Sequence, residues 1–177
     1  MTHRHLIGTA FAIILAAGAA LPAQAQATGA IPVATAPADA SGDARAPYAW
    51  SDLCRRSPAE CRVDLREADR VEMTPKLWKM ILSVNSRVNR EIEAVTDEEH
   101  WGVVDRWDLP EDGKGDCEDF ALLKRKRLAE AGVPRRAMPM TVVIDEDNAG
   151  HAVLMIRTDR GDFILDNKRN DILAWHR

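Results

Sequence analysis

The hydrophobic positions of this chain change their period along its length. After Thr74-Pro75, apolar residues recur at steps of three and four, the pattern of a helix with one buried face. The stripe consists of Leu77, Ile81, Val84, Val88, Ile92 and Val95. Thr is a favoured N-cap and Pro fits the first helical position, so a long helix is predicted to begin at Pro75. Asn85 and Asn89 flank the stripe, either as polar contacts to a site or as surface and helix-packing residues.

A second helix is predicted from about Glu118 to Ala131. Gly132 supplies a C-terminal stop and Pro134 cannot continue the helix. Only part of this helix has an apolar face, and its second half carries four consecutive basic residues, 124–127. We interpret that basic run as a solvated face that suits the helix dipole.

Strand patterns follow the second helix. Residues 140–144 and 151–156 are rich in β-branched and aliphatic side chains, and a polar turn separates them. Residues 159–162 form a further turn that leads into 163–166, so the last two segments are predicted to form a hairpin. Helices followed by antiparallel strands indicate an α+β domain, with the helices packed on the sheet.

The amino terminus has the features of a secretory signal. Residues 6–21 are small and apolar, Arg4 precedes them, and Ala23-Gln24-Ala25 forms a cleavage site, with residues 25–27 as a second option. A membrane anchor is the alternative, but the run is short for the roughly 20 apolar residues of a span. We therefore predict a signal peptide at 1–25 and a periplasmic protein. No later segment is apolar for long enough to cross a membrane.

Composition divides the remainder into a spacer and one domain. Residues 26–47 are mostly Ala, Pro, Gly, Thr and Ser, with scattered charge and no periodicity, which predicts a disordered linker. Residues 48–177 are predicted to form the domain. The formal net charge is −4, and it becomes −5 when residues 1–25, which hold one basic residue and no acid, are removed. This acidity, with no basic stripe, argues against a nucleic-acid partner.

The chain has three cysteines, and two of them are close in sequence. In an oxidising compartment Cys54 and Cys61 are expected to form a disulfide that closes a short loop. The alternative, a metal-binding pair, lacks the C-x2-C spacing and a nearby histidine. Cys117 is left over, and it lies where a glycine-rich turn meets the second helix. Because helix N-termini favour thiolate, Cys117 is a candidate nucleophile.

The predicted hairpin supplies candidate partners for this thiol. His151 begins one strand and Asp166 ends its neighbour, so antiparallel pairing brings them to the same edge of the sheet. A carboxylate there can fix the tautomer of the imidazole while the other ring nitrogen faces Cys117. Taken singly, each residue also has a structural interpretation: a solvent-facing histidine, a turn-forming aspartate and a core thiol. Together they form a candidate catalytic triad.

At these residues the chain resembles the bacterial transglutaminase-like cysteine peptidases, a group of the papain-like superfamily. The strongest match is the segment 115–121, Gly-Asp-Cys-Glu-Asp-Phe-Ala. Further matches are 84–89, Thr96-Asp97, Trp101-Gly102, 105–107, His151, 165–167 and the loop 54–61. The resemblance runs from about Tyr48 to the C-terminus and implies a papain/transglutaminase-like fold. Many members continue beyond the match to Trp175, so a final strand or hairpin is expected to be missing or reduced.

The resemblance implies roles for the triad and a cation site. Cys117 would be the nucleophile, His151 the general base and then acid, and Asp166 the orienting carboxylate. Well-known members are periplasmic proteases that cleave large biofilm adhesins near paired alanines, which suggests an adhesin substrate and an inner-membrane regulatory receptor. They bind calcium through acids that match Asp116 and Glu118. The chemistry itself requires no cofactor.

The chemistry of the residues leaves several alternatives open. Asp116, Glu118 and Asp119 offer hard oxygen ligands suited to calcium, although they do not form an EF-hand loop. Acids at a helix start are also ordinary partners of the dipole. Carboxylates beside Cys117 would raise its pKa, which a bound cation would offset.

Three functions are compatible with these residues. The first is an exported cysteine endopeptidase that acts through a thioester acyl-enzyme. The second is a transglutaminase or amidase with the same triad, since the sequence does not set the acyl acceptor. The third is a non-catalytic, calcium-dependent binding module. For the oxyanion, the Cys117 N–H is the expected donor, and Trp107 is a second candidate.

Overall fold

The computed structural model describes residues 30–39 and 41–177. The signal peptide predicted at 1–25 lies outside the described residues and stays a prediction. Within the described part of the chain, no helix combines the length and the hydropathy that a membrane crossing requires.

The described chain begins with helices and ends with strands, as the change of period predicts. The helices are α1 (Tyr48–Arg56), α2 (Pro58–Cys61), α3 (Pro75–Glu91), α4 (Asp97–Trp101) and α5 (Cys117–Glu130), followed by a short 3-10 helix, Arg135–Ala137. The strands are β1 (Glu93–Ala94), β2 (Lys114–Gly115), β3 (Met140–Ile144), β4 (Gly150–Thr158), β5 (Gly161–Leu165) and β6 (Leu173–Ala174). The predicted α+β class is confirmed.

Four strands form one antiparallel sheet in the order β3-β4-β5-β6. The predicted hairpin is present between β4 and β5, where Leu154 pairs with Leu165 and Thr158 with Gly161. Strands β1 and β2 form a separate two-residue parallel pair. This pair leads the chain directly into α5 and so sets where that helix begins.

Helices α3 and α5 pack together, and α5 also packs on β4. Helix α3 begins as predicted, because the Thr74 hydroxyl accepts a hydrogen bond from the Leu77 N–H at 3.1 Å. Ile81 and Val88 of its apolar stripe are fully buried. The helix is shorter than the stripe suggests: it ends at Glu91, and Val95 follows β1 instead. The core fills the space between these helices and one face of the sheet.

The interpretation of the basic run as a solvated face is wrong for two of its four residues. Lys124 is 0% exposed and Arg125 is 3% exposed. Arg125 donates to the Met138 carbonyl at 2.9 Å and to the Glu60 carbonyl at 2.8 Å. The reason is tertiary: α5 has a helix on one side and the sheet on another, so less of its surface is left for solvent.

Part of the predicted spacer is joined to the domain. The Thr35 N–H donates to the Arg160 carbonyl, and the Ala38 N–H donates to Asp162 Oδ2, both at 2.9 Å. Trp175 Nε1 donates to the Ala36 carbonyl at 2.8 Å. A disordered linker would lack such contacts, so the described part of 26–47 differs from the prediction. The low hydrophobicity of residues 26–47 gave no indication of these contacts, because the spacer makes them through its backbone groups rather than through characteristic side chains.

The predicted disulfide between Cys54 and Cys61 is confirmed, and their Cα atoms are 5.5 Å apart. It connects the last turns of α1 and α2. The third cysteine, Cys117, is reduced and partly buried.

Candidate active site

Cys117 is the first residue of α5, one position before the predicted helix start. The turn that delivers it requires glycine at position 115. A side chain there would place its Cβ 2.5 Å from the Asp119 carboxylate. Gly115 therefore lets the strand end lie directly against the first turn of α5, and Cys117 emerges at the top of that helix.

The Cys117 thiol has two hydrogen-bond partners. The Ala152 N–H donates to Sγ at 3.3 Å, and the thiol donates to Glu118 Oε2 at 3.2 Å. The peptide nitrogen that follows His151 is therefore in contact with the sulfur. Helix α5 and strand β4 thus place the candidate nucleophile beside the candidate base.

His151 and Asp166 are brought together as the hairpin predicts. His151 Nε2 lies 2.9 Å from Asp166 Oδ1. His151 is 7% exposed, so this pair is largely shielded from water. Burial raises the pKa of Asp166, but the hydrogen bonds from His151 and the Lys168 N–H, together with nearby positive charge, lower it and hold that pKa below its usual value. With Nε2 engaged, Nδ1 is the ring nitrogen that can serve another group.

The loop that carries Asp166 is held from α3. Asn89 Nδ2 donates to the Asp166 carbonyl at 3.0 Å and to the Arg169 carbonyl at 2.9 Å. The fully buried Asn85 donates to the carbonyls of Arg169 and Asn170 at 3.2 and 3.1 Å. The two asparagines beside the apolar stripe therefore position the end of β5, which the sequence pattern left undecided.

A cleft of about 390 Å³ joins these groups. Cys117, His151 and Ala152 line it, and Trp107, Val104 and Val142 contribute apolar surface. Trp107 is less suited to the oxyanion role than the sequence suggests, because its Nε1 already donates to Asp105 Oδ1 at 3.0 Å. The cleft is open to solvent.

Acidic side chains gather on one side of the thiol. Asp116 and Glu118, the predicted cation ligands, lie in one cluster with Asp97, Asp105 and Asp119. Three overlapping sets have ligand atoms within 4.8 Å of one another: Asp116, Cys117 and Glu118; Asp97, Asp105 and Glu118; Asp97, Asp116 and Asp119. We call these five acids the acidic cluster. Sequence reasoning did not place Asp97 and Asp105 in a site, although both lie in segments that carry the family resemblance.

Burial and mutual repulsion perturb the acidic cluster. Burial, with the Asp116 charge adding to it, raises the pKa of Glu118 to about 9. Burial likewise raises the pKa of Asp119 to about 8. Asp116 Oδ1 is buried without a hydrogen-bond partner among the described residues. The cluster thus has more carboxylate oxygens than protein donors to satisfy them, which is an arrangement that suits a hard divalent cation.

The same surroundings oppose ionisation of the thiol. Burial, with smaller contributions from Glu118 and the charge of Asp116, raises the pKa of Cys117 to about 12, and the hydrogen bond from the Ala152 N–H only partly opposes this rise. The protein without a cation therefore holds Cys117 as a thiol. A positive charge in the acidic cluster would act in the opposite direction.

Known proteins resemble this chain in family and in structure. The family described as bacterial transglutaminase-like cysteine proteinase matches residues 40–177. Comparison with curated proteins gives no significant match. The structure of calcium-bound LapG from Legionella pneumophila is similar, with 30% identity and a TM-score of 0.50 over 60% of this chain and 61% of that chain.

A structure of EGTA-treated LapG from the same organism has 33% identity and a TM-score of 0.48, over 55% of this chain and 56% of that chain. The matched region spans about three fifths of the length of these LapG chains. The family match itself covers more than half of this chain and includes every residue of the candidate site. The chain therefore belongs to the bacterial transglutaminase-like cysteine proteinase family.

Proposed function

We propose that the chain is an exported cysteine endopeptidase with Cys117, His151 and Asp166 as its catalytic triad. The observation that carries the proposal is the His151–Asp166 pair at 2.9 Å beside the Cys117 thiol, at the start of a buried helix. A nucleophile and a base that line one cleft, with a carboxylate hydrogen-bonded to the base, match the general requirement for an activated thiol.

Each of the three residues would have its own role in the reaction. Asp166 holds Nε2, so His151 Nδ1 accepts the proton of Cys117 as Sγ attacks the scissile carbonyl. The carbon–nitrogen bond then breaks, His151 returns the proton to the leaving amine, and a thioester remains on Cys117. Water, deprotonated by His151, attacks the thioester and releases the acid and the thiol.

The oxyanion formed in each attack needs donors. The backbone N–H of Cys117 is the first of α5, and the first N–H groups of a helix have no partner within it. Together with the helix dipole, this N–H stabilises a negative charge beside Sγ.

The proposed substrate is a protein segment in the cell envelope. The predicted signal peptide would place the enzyme in the periplasm, where an extended segment can enter the open cleft. The family resemblance makes a large surface adhesin the first candidate and an inner-membrane receptor a candidate regulator.

We also propose that the acidic cluster binds calcium. Asp97, Asp105, Asp116, Glu118 and Asp119 would hold the ion. The raised pKa values of Asp97, Glu118 and Asp119 and the unpartnered Asp116 oxygen support this. The ion would supply the positive charge that lowers the pKa of Cys117. LapG from Legionella pneumophila, which is similar to this chain, has been solved in a calcium-bound form.

Alkylation by iodoacetamide tests the nucleophile. With calcium present at neutral pH, we expect Cys117 to react faster than N-acetylcysteine, and His151→Ala to slow the reaction at least tenfold, since general-base assistance is typically worth about 10²-fold or more. His100→Ala is the matched control, because His100 also pairs with a carboxylate, Asp112, at 2.8 Å but does not line the cleft.

Turnover is measured with a fluorogenic peptide that contains an Ala-Ala step, with Cys117→Ala as the inactive reference. Adding a primary amine shows whether water or an amine accepts the acyl group. A Cys117 that reacts no faster than the free thiol would contradict the proposal, as would an unchanged rate in His151→Ala.

A further inference from the structure

The four-stranded sheet has a second face, which also carries apolar side chains. Successive side chains of a strand point to opposite faces of its sheet. In β4, Leu154 and Ile156 lie in the core between the sheet and the helices. Val153 and Met155 therefore lie on the opposite, outer face, and His151 lies on that face with them.

Apolar residues of three neighbouring strands are aligned across the outer face. Met155 of β4 pairs with Ile164 of β5, and Ile164 pairs in turn with Leu173 of β6. Paired residues of antiparallel strands project to the same face, so these three side chains form one row. A cavity of about 440 Å³ has this row in its lining, and we call it the sheet groove. Its apolar lining includes Val143, Val153, Met155, Ile164, Leu173 and Trp175.

His151 joins the sheet groove to the cleft that contains Cys117, because its side chain lines both cavities. Asp166, its hydrogen-bond partner, lines the groove. Adjacent residues of β3 are divided between the two cavities, since Val142 lines the cleft and Val143 lines the groove. The cleft and the groove therefore meet at the candidate base.

The proposed reaction gives a direction to a substrate that crosses this junction. His151 returns a proton to the leaving amine, so the nitrogen of that amine has to lie within hydrogen-bond reach of the imidazole. The acyl part of the substrate stays bound to the Cys117 sulfur. The segment that follows the scissile bond consequently leaves the junction on the His151 side, where the groove lies.

We propose that the sheet groove binds the leaving segment of the protein substrate and selects an apolar side chain among the first residues after the scissile bond. Met155 is four residues from His151 along β4, which is about 13 Å at about 3.3 Å per residue. An extended peptide covers that distance with about four residues. The identity of the bound segment rests on the proposed function, whereas the groove itself rests on the register of the sheet.

Acyl transfer to peptide amines tests the groove, because an amine that attacks the thioester occupies the site of the leaving amine. In this step the amine nitrogen bonds to the thioester carbonyl carbon, the carbon–sulfur bond breaks, and the amine proton passes through His151 to the Cys117 sulfur. Water competes for the same thioester and gives the acid. With one acyl donor, the ratio of transfer to hydrolysis therefore reports the binding of the amine and not the formation of the thioester.

The amines are tetra-alanine amide and four versions of it that each carry one leucine, at successive positions. We expect at least one leucine to raise the ratio about tenfold, the low end of the effect of an apolar group in a pocket. Met155→Ala and Leu173→Ala should remove most of this preference. Leu65→Ala is the control, because Leu65 is apolar, 76% exposed and outside the groove. If Met155→Ala does not fold, Val143→Thr, which keeps nearly the same shape on the edge strand β3, is measured against the same expectation.

The groove also contains a reporter of binding that needs no turnover. The methionine methyl groups are labelled with carbon-13 in the Cys117→Ala variant, which cannot form a thioester. We expect titration with the leucine tetrapeptides to shift the Met155 methyl resonance, and tetra-alanine amide to shift it less. The resonance of Met138, which is 0% exposed in the core, should stay in place.

Equal transfer to all five amines, or a Met155 resonance that no tetrapeptide shifts, would overturn the inference. A dimer that Met155→Ala disrupts, measured by sedimentation and found without a preference among the amines, would also overturn it, since the groove would then be a contact between copies. If wild-type Cys117 forms no thioester, the proposed peptidase fails, and the methyl titration still decides whether the groove binds apolar peptides. If the thioester forms but the amines are not distinguished, the peptidase stands and the role of the groove fails.

Discussion

Asp119 shows how a single residue near the nucleophile links pH to stability. It is 1% exposed, and its Oδ1 accepts from the Asp108 N–H at 2.8 Å. Burial raises its pKa from 3.8 to about 8. Between these two values the unfolded chain has lost a proton that the folded protein keeps, so the contribution of Asp119 to stability falls as pH rises.

Asp119→Asn removes this effect and keeps the acceptor oxygen. In the presence of a chelator, we expect the melting temperature of the variant, relative to wild type, to increase from about pH 4 to about pH 8 and then to level off. Thermal unfolding across this range measures the difference. Asp147→Asn, at an exposed acid, is the control and should follow wild type. A difference that does not vary with pH would contradict the interpretation.

Helix α3 contributes to the site as an element rather than through one catalytic group. One face packs in the core through Ile81 and Val88, and the adjacent Asn85 and Asn89 bind the loop after β5. Through these hydrogen bonds, α3 helps to hold Asp166 in place. The Thr74 N-cap that begins this helix is consequently part of how the candidate triad is positioned.

Asn85→Ala should weaken this attachment. The change removes the donor for two carbonyls, those of Arg169 and Asn170, so we expect a loss of about 1–3 kcal/mol in the free energy of unfolding. Urea unfolding measures it. Arg87→Ala, on the exposed side of the same helix, should change stability by less than about 0.5 kcal/mol. Equal effects of the two substitutions would show that the loop is held by other contacts.

At the scale of the whole molecule, the acidic cluster and Asp162 join parts that are distant in sequence. The cluster takes Asp97 from α4, Asp105 from the following loop, and three acids from the start of α5. The fully buried Asp162 pairs with Arg70 at 2.6 Å and accepts from the Ala38 N–H. Because its acids come from α4, the following loop and the start of α5, a cation bound in the acidic cluster would stabilise the fold as well as the Cys117 thiolate.

Calcium should raise the melting temperature, and a chelator should reverse the rise. An ion in 100-fold excess over its Kd stabilises the folded state by about 2.7 kcal/mol, provided that it does not bind the unfolded chain. Differential scanning fluorimetry with calcium, magnesium or EGTA measures this. The calcium effect should disappear in Asp116→Ala and persist in Glu111→Gln, at an exposed acid outside the cluster. A melting temperature that is insensitive to calcium would contradict the proposal that the acidic cluster binds calcium.

The sequence by itself determined the order of helices and strands, the disulfide and the candidate triad. Each of these follows from local rules: the period of apolar side chains, the N-cap at Thr74, and the antiparallel hairpin that brings His151 beside Asp166. Only the tertiary structure decided which polar groups are buried. Lys124 and Arg125 lie inside because α5 packs against both α3 and β4, and Asp97 and Asp105 join Asp116 and Glu118 because the chain folds back between α4 and α5. Burial depends on what covers a residue, and a sequence pattern records only the residue's own chemistry and its spacing.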